Sequence, residues 1–527
     1  MSVAIDLGGR AVVLRGVSFA RPLSPAVFEG VDLSLAPGWT GLVGANGAGK
    51  TTLLALVGGE LAPTAGSVER PPDAQVASIP QSIEAPPDDA LARRDDRAAH
   101  RLRAALALVP EDLARWPTLS PGERRRWQIG AALAHEPDVL LVDEPTNHLD
   151  REGRALVLEA LRRFRGIGVV VSHDRTLLDA LTTRTVRLAA GGARAWSGGY
   201  SEARDAWTAE ARALEVDRDE KRARLRGAAR ALDHARREHA SAEAGRSTAK
   251  RMRSKYDSDA RGIGATTKAM WAEGRAGRGV ARRSHELARA EEALALTASL
   301  PRERGRALFV DFVPATRRAV LHLAQSEIAV AGRVLVRDAH LTLGSSDRIR
   351  LVGPNGAGKT TLVTRMLAGV EDPRLVFVPQ DLDPRQTQRT IAGLQALSPL
   401  ERNRATALLA ALGADPGRFF RAHVGQPSPG EARQLAIAWG LVHRAHTLVL
   451  DEPTNDLDLP ATERLEEALA AFPGALLIVT HDDALAARLS LGEWRLDPDG
   501  RVRARTGDAV SERCARASPR DPGSRTR

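Results

Sequence analysis

Apolar positions along this chain fall into two regimes. Short continuous runs, Gly41-Leu42-Val43, Val139-Leu140-Leu141-Val142 and Val169-Val170-Val171, return later as Ile349-Arg350-Leu351-Val352, Thr447-Leu448-Val449-Leu450 and Ile478-Val479. Runs of this kind predict strands covered on both faces. The first run of each set is followed by helical spacing, at Leu53, Leu54 and Leu56 and at Leu362, Val363, Met366 and Leu367. The second regime lies between the sets. From Glu202 to Ala240 there is no proline, and Trp207, Ala211, Leu214, Leu225, Ala228, Leu232 and Ala235 fall near heptad spacing. That predicts one helix of roughly 55–60 Å at about 1.5 Å per residue. Leu287, Ala290, Leu294 and Ala298 supply the stripe of a returning helix, so the middle of the chain reads as an antiparallel hairpin.

The two sets are copies of one unit. Gly44-Ala45-Asn46-Gly47-Ala48-Gly49-Lys50-Thr51-Thr52 reappears as Gly353-Pro354-Asn355-Gly356-Ala357-Gly358-Lys359-Thr360-Thr361, 309 positions on. Asp143-Glu144-Pro145-Thr146-Asn147-His148-Leu149-Asp150 reappears as Asp451-Glu452-Pro453-Thr454-Asn455-Asp456-Leu457-Asp458, 308 positions on. Ser172-His173-Asp174 returns as Thr480-His481-Asp482. The expected fold class is therefore α/β, with two tandem P-loop ATPase domains joined by a long α-helical hairpin linker. We place the domains at residues 1–200 and 305–500, the hairpin at 201–304 and a basic, disordered tail at 501–527. A chain of 527 residues is too long for one compact domain in any case.

Each glycine motif sits between a strand and a helix, the arrangement that binds a nucleotide triphosphate. Glycines let backbone N–H groups close around phosphate oxygens, the helix N-terminus adds its positive end, and Lys50 or Lys359 reaches the outer phosphates. Thr51 and Thr360 are expected to ligate Mg²⁺. Only six of the 76 basic residues are lysine, yet two occupy these loops, where a compact ammonium suits phosphate. Asp143 and Asp451 end buried strands and are candidates for the Mg²⁺ shell; Glu144 and Glu452, one residue on, are candidates for polarising the attacking water. His173 and His481 end a further strand, placed to sense the γ-phosphate. Leu119-Ser120-Pro121-Gly122-Glu123 and Pro427-Ser428-Pro429-Gly430-Glu431 each open a helix, whose N-terminus would face phosphate.

Taken together, these residues resemble the ABC ATPase family. The resemblance implies a head-to-tail sandwich within one monomer, in which Ser120 and Gly122 contact the ATP held by Lys359, and Ser428 and Gly430 the ATP held by Lys50. It also implies that Gln81 and Gln380 match the family's Q-loops and join the Mg²⁺ shell, and that Phe19 stacks on an adenine or is simply buried. Two ATPase halves without a membrane span are similar to the ABC-F branch, whose members act on the ribosome. Asp456 in place of histidine and Pro427 in place of leucine depart from the motifs at the site that pairs Lys50 with Ser428.

Charge then separates the function classes. The net charge is +10, but Ala244 to Arg283 holds eleven Lys/Arg and three Asp/Glu, and residues 501–527 hold eight and three. The remainder is close to neutral, so a polyanion would bind at the hairpin tip. There Arg251, Arg253 and Lys255 are interleaved with Tyr256, Met270 and Trp271, on a protein with two tyrosines and four methionines. Cations and aromatics together suit phosphate neutralisation and stacking on unpaired RNA bases. In the ABC-F family this linker enters the ribosomal exit site and approaches the peptidyl-transferase centre, so the resemblance implies rRNA and tRNA as partners. Only 39 positions separate Gln81 from Ser120, too few for the arm of housekeeping members. The expected function is protection of the ribosome from an antibiotic of the peptidyl-transferase centre or exit tunnel, with ATP binding to engage and hydrolysis to release. A housekeeping translation ATPase and an exporter's ATPase subunit are the alternatives. The single Cys514 excludes a disulfide framework, and the N-terminus has no basic-then-apolar leader, so a cytoplasmic location is expected.

Overall fold

The computed structural model describes residues 11–22, 25–83, 85–147, 149–189, 191–246, 263–295, 309, 312–330, 332–421 and 425–505. Arg251, Arg253, Lys255, Tyr256, His148 and Cys514 lie outside the described residues. The chain divides into two units, residues 1–203 with 305–527 and residues 204–304.

In the first half, β1 (Val12–Ala20), β2 (Ala26–Leu35) and β4 (Ala65–Glu69) form an antiparallel sheet in the order β2-β1-β4, while β3 (Gly38–Gly44) leads into α1 (Lys50–Gly58). Then come β5 (Val76–Ile79), α2 (Ala90–Arg93), α3 (Arg97–Ala105), a 3₁₀ segment (Pro110–Thr118), α4 (Pro121–Ala134), β6 (Val139–Asp143), α5 (Arg151–Arg162), β7 (Ile167–Val171), α6 (Arg175–Leu181), β8 (Arg184–Ala189) and β9 (Gly192–Ser197). The main sheet has the order β5-β6-β7-β3-β8-β9. It is parallel except for its last pair. Every residue of β6 and β7 is buried, as their unbroken apolar runs require.

The long helix α7 (Tyr200–Arg246) and α8 (Ile263–Ala295) follow. The second half repeats the plan with β10 (Ala319–Val330), β11 (Arg333–Gly344), β12 (Arg348–Val352), α9 (Lys359–Leu367), β13 (Leu375–Val378), α10 (Pro384–Gln395), α11 (Pro399–Ala411), α12 (Pro416–Phe419), α13 (Pro429–Val442), β14 (Thr447–Asp451), α14 (Leu459–Ala471), β15 (Ala475–Val479), α15 (Asp483–Arg488), β16 (Gly492–Leu496) and β17 (Val502–Arg505). Its main sheet, β13-β14-β15-β12-β16-β17, has the same order, but the antiparallel sheet is reduced to β10-β11. No helix among the described residues is long and apolar enough to cross a membrane.

Two expectations are corrected. Residues Val502–Arg505 pair antiparallel with β16, so the second domain does not stop at residue 500 but closes its sheet with part of the basic segment. In the unit 204–304, Leu232 and Ala235 are buried, but Leu214, assigned to the same stripe, is exposed. The returning helix starts at Ile263, well before the apolar stripe at Leu287, so Met270 and Trp271 of the tip stand on this helix. Four glycines at 264, 274, 277 and 279 hid this stretch, since each costs a helix roughly 1 kcal/mol against alanine. Gly277 faces α7, where a Cβ would stand 3.4 Å from His239 Nε2.

Candidate nucleotide sites

The first site is built at the C-terminal end of β3. Gly49 caps α1 with φ of 94°, and a Cβ there would lie 2.5 Å from Val27 Cγ1 and 2.6 Å from Phe28 Cε1. Only glycine fits both the backbone and the space. Phe19 is buried in the same core, its ring centroid 6.5 Å from that of Phe28, which favours the packing reading over adenine stacking. Lys50 Nζ donates to the carbonyls of Gly44 at 2.9 Å and Ala45 at 3.2 Å, folding its ammonium over the loop that carries Asn46 and Gly47. Burial lowers its pKa, against the pull of Glu144, Asp458 and Asp143. Thr51 Oγ1 donates to Asp143 Oδ2 at 2.7 Å, bringing together two hard oxygens of the kind Mg²⁺ takes. Thr52 is buried behind them.

Glu144 follows β6 in a left-handed conformation, φ 52°, and Glu452 repeats it at 47°. Such strain in a non-glycine residue collects at functional positions. Each amide is held by the neighbouring strand, Glu144 N by Val171 O and Glu452 N by Val479 O, both at 2.8 Å. Glu144 Oε2 accepts from His173 N at 3.2 Å, and Oε1 lies 3.1 Å from His173 Nε2 without hydrogen-bond geometry. Burial pushes Glu144 up to about 8 and His173 down to about 4. The pair is therefore a neutral acid beside a neutral imidazole near pH 7, rather than an ion pair.

The second site copies this arrangement. Gly358 caps α9 at φ 101°, and Gly353 and Gly356 lie in the same loop as Asn355. Lys359 Nζ donates to Gly353 O at 2.8 Å and Pro354 O at 3.1 Å and lies 3.2 Å from His481 Nε2. Thr360 Oγ1 donates to Asp451 Oδ2 at 2.7 Å, with Thr361 the next residue. Burial raises Glu452 to about 7 and lowers His481 to about 4.

The two halves meet at the first loop. Asn46 N donates to Asp458 Oδ2 at 2.8 Å, and Asn46 Nδ2 donates to Asp456 O at 3.3 Å. Asp458 also caps α14 through Ala461 N, so one carboxylate ties a helix start in the second half to the phosphate loop of the first. Ser120 and Ser428 are the N-caps of α4 and α13, each in a capping box with Glu123 or Glu431. Among the described residues no hydrogen bond joins Ser120 to Lys359 or Ser428 to Lys50. A Cβ at Gly430 would lie 2.5 Å from Asp456 O, whereas Gly122 is partly buried at the first turn of α4.

The side chains of Gln81 and Gln380 are exposed. Their backbone carbonyls are held by two arginines that the motif reading passed over. Arg125 Nη2 donates to Gln81 O at 2.5 Å and its Nη1 to Pro80 O at 2.6 Å; Arg433 Nη2 donates to Gln380 O at 2.8 Å. Both arginines are buried, and burial lowers both pKa values. The signal was their recurrence 308 positions apart inside an otherwise apolar helix face.

An ABC transporter family model matches residues 28–147 and 336–455. The chain is 31% identical over 530 residues to the tylosin resistance ATP-binding protein TlrC of Streptomyces fradiae, covering 88% of this chain and 93% of that one. It is 29% identical to the energy-dependent translational throttle protein EttA of Escherichia coli K12, covering 90% of each chain. To the ribosome protection protein VmlR of Bacillus subtilis it is 27% identical, over 95% of this chain and 89% of that one. Among solved structures, the RNase-L inhibitor superposes with a TM-score of 0.58 at 18% identity, over 94% of this chain and 90% of that one, a likeness of fold.

Proposed function

Given that this chain belongs to the ABC-F family of tandem ABC-type ATPases, we propose that it protects the ribosome from an antibiotic of the peptidyl-transferase centre or exit tunnel. The observation that carries the nucleotide part of this reading is the bond from Asn46 N to Asp458, because it makes the first phosphate loop depend on the second half.

Mg²⁺-ATP bound at each loop would supply the phosphoryl group to be transferred to water. Lys50 and Lys359 are the cations for the phosphates, with loop amides that include those of Asn46, Gly47, Gly49, Asn355, Gly356 and Gly358. Thr51 with Asp143, and Thr360 with Asp451, are the oxygens that would hold Mg²⁺, with Gln81 and Gln380 completing the shell. Glu144 and Glu452 in their ionised forms are the groups that accept the proton of the attacking water, and with pKa values raised to about 8 and about 7 part of each carboxyl is ionised near neutral pH. His173 and His481, held neutral, offer one donor and one acceptor each beside those carboxylates. Ser120 with Gly122 and Ser428 with Gly430 present helix starts to the nucleotide of the opposite half.

Binding energy for RNA is assigned to the hairpin. Trp271 and Met270 are 70% and 54% exposed, as stacking on bases requires. Arg251, Arg253, Lys255 and Tyr256 are the other contact candidates. Resemblance to both TlrC and VmlR supports resistance, and resemblance to EttA supports the housekeeping alternative. The experiment is co-sedimentation. Glu144→Gln/Glu452→Gln with ATP is expected to pellet with ribosomes, and a protein that stays in the supernatant refutes ribosome action.

A further inference from the structure

A charged cluster outside both phosphate loops lies where the halves meet. Arg175 opens α6, two residues after His173. Its Nη1 donates to Glu466 Oε2 at 3.1 Å, its Nη2 donates to Glu466 Oε1, and Nη2 lies 3.7 Å from Asp482 Oδ2. Glu466 belongs to α14, its side chain is fully buried, and it also accepts from Arg488 Nη1 at 3.2 Å. Asp482 is the residue after His481. One guanidinium thus connects the segment behind one strand-end histidine to the segment behind the other.

The duplication does not repeat this contact. At the shared offset of 308, Glu466 corresponds to Leu158 and Arg175 to Asp483. Asp483 is half exposed, accepts from Arg350 Nη1 of its own half at 2.7 Å, and among the described residues reaches the first half only through exposed Arg151, whose Nη2 lies 3.9 Å away. The buried pair is therefore an addition on one side of the contact, not a by-product of the repeat.

We propose that Arg175 is a positioning residue shared by the two ATP sites: by holding Glu466 and Asp482 it sets the His173 and His481 segments relative to each other and makes turnover at one site depend on the other. A buried carboxylate cannot be left without its cations, so the cluster is either formed or broken, with no cheap intermediate. An element with two discrete arrangements passes a displacement on instead of absorbing it. Burial works against the Arg175 charge, but its bonds to Glu466 outweigh this and hold the guanidinium well above its ordinary pKa. The inference rests on reading both loops as hydrolytic sites.

The experiment is steady-state ATP hydrolysis by the full chain across ATP concentrations, for the parent, Arg175→Leu, Arg175→Lys and the pair Arg175→Leu/Glu466→Leu. Leucine already stands at position 158, so the pair variant removes both charges with a side chain this register accommodates, and no lone buried charge remains. The parent is expected to show a Hill coefficient between about 1 and 2, falling to about 1 in Arg175→Leu and in the pair variant, with Arg175→Lys between them. The reading is the shape of the curve, not its height. Glu144→Gln and Glu452→Gln in the same assay report on the sites alone: if both keep parental turnover, the site assignment is wrong, whatever the Arg175 series shows. A parent coefficient of 1, or a pair variant as cooperative as the parent, overturns the inference.

Discussion

Glu144 and Glu452 are the two side chains on which the proposed chemistry turns. Each is forced into a left-handed backbone, nearly buried, and left beside a neutral histidine. If they are the bases, changing both to Gln should leave ATP binding intact and lower turnover by about 10²–10⁴-fold, read by ATP hydrolysis and by nucleotide binding in parallel. Their titration also carries a stability consequence. Glu144 rises from 4.5 to about 8, so its protonated form stabilises the nucleotide-free fold fully below about 4.5, and that contribution is lost as pH rises through about 8. His173, lowered to about 4, contributes above about 6.5 and loses its part only as pH falls through about 4. Between pH 6.5 and 9 the glutamate alone changes within this pair. The urea midpoint of the parent should fall across that range more than that of Glu144→Gln; parallel curves would contradict the assignment. Such carboxylates were legible in the sequence because the chemistry fixes their type and spacing. Arg125 and Arg433 were marked only by their recurrence at the repeat offset, since an arginine that serves backbone carbonyls in the core looks like surface charge until its neighbours are known.

At the scale of elements, the two halves solve one packing problem with different residues. The carbonyl of Leu161, near the end of α5, accepts from Trp39 Nε1 at 3.0 Å; its counterpart Leu469, near the end of α14, accepts from Arg348 Nη2 at 2.7 Å. The indole needs room, which Gly168 of β7 provides: a Cβ there would lie 2.5 Å from the Trp39 ring. In the second half, Leu476 occupies the equivalent place. Gly168→Ala should therefore destabilise by about 1–3 kcal/mol through overpacking, measured by urea unfolding, while the same change at exposed Gly227 of α7 should not. Strands of the main sheets were legible because both faces are apolar. The start of α8 was not, because its glycines argue against a helix.

For the whole molecule, the duplication supplies two phosphate loops and two serine-capped helices, α4 and α13, and Asn46 of the first half bonds Asp458 of the second, as the proposed sandwich requires. An isolated fragment of residues 1–200 should hydrolyse ATP at a small fraction of the full chain's rate; full activity in it would contradict the sandwich. At the hairpin the two proposed contributions should separate. Neutralising Arg251, Arg253 and Lys255 should weaken ribosome association and flatten its salt dependence, since fewer counterions are released. Truncating Tyr256, Met270 and Trp271 to Ala should leave most association in place and abolish protection, read by co-sedimentation and drug susceptibility together. The family was legible from motifs because phosphate chemistry constrains them. A drug class was not, because under the proposed function it would depend on how RNA is reshaped and not on a pocket in this chain. The deciding measurement is a susceptibility panel on a sensitive host expressing the protein or Glu144→Gln/Glu452→Gln. The parent is expected to raise the inhibitory concentration of at least one antibiotic of the peptidyl-transferase centre or exit tunnel, and the double variant is not. No shift for any such drug, in cells where the protein is present on ribosomes, would contradict protection and leave the housekeeping role.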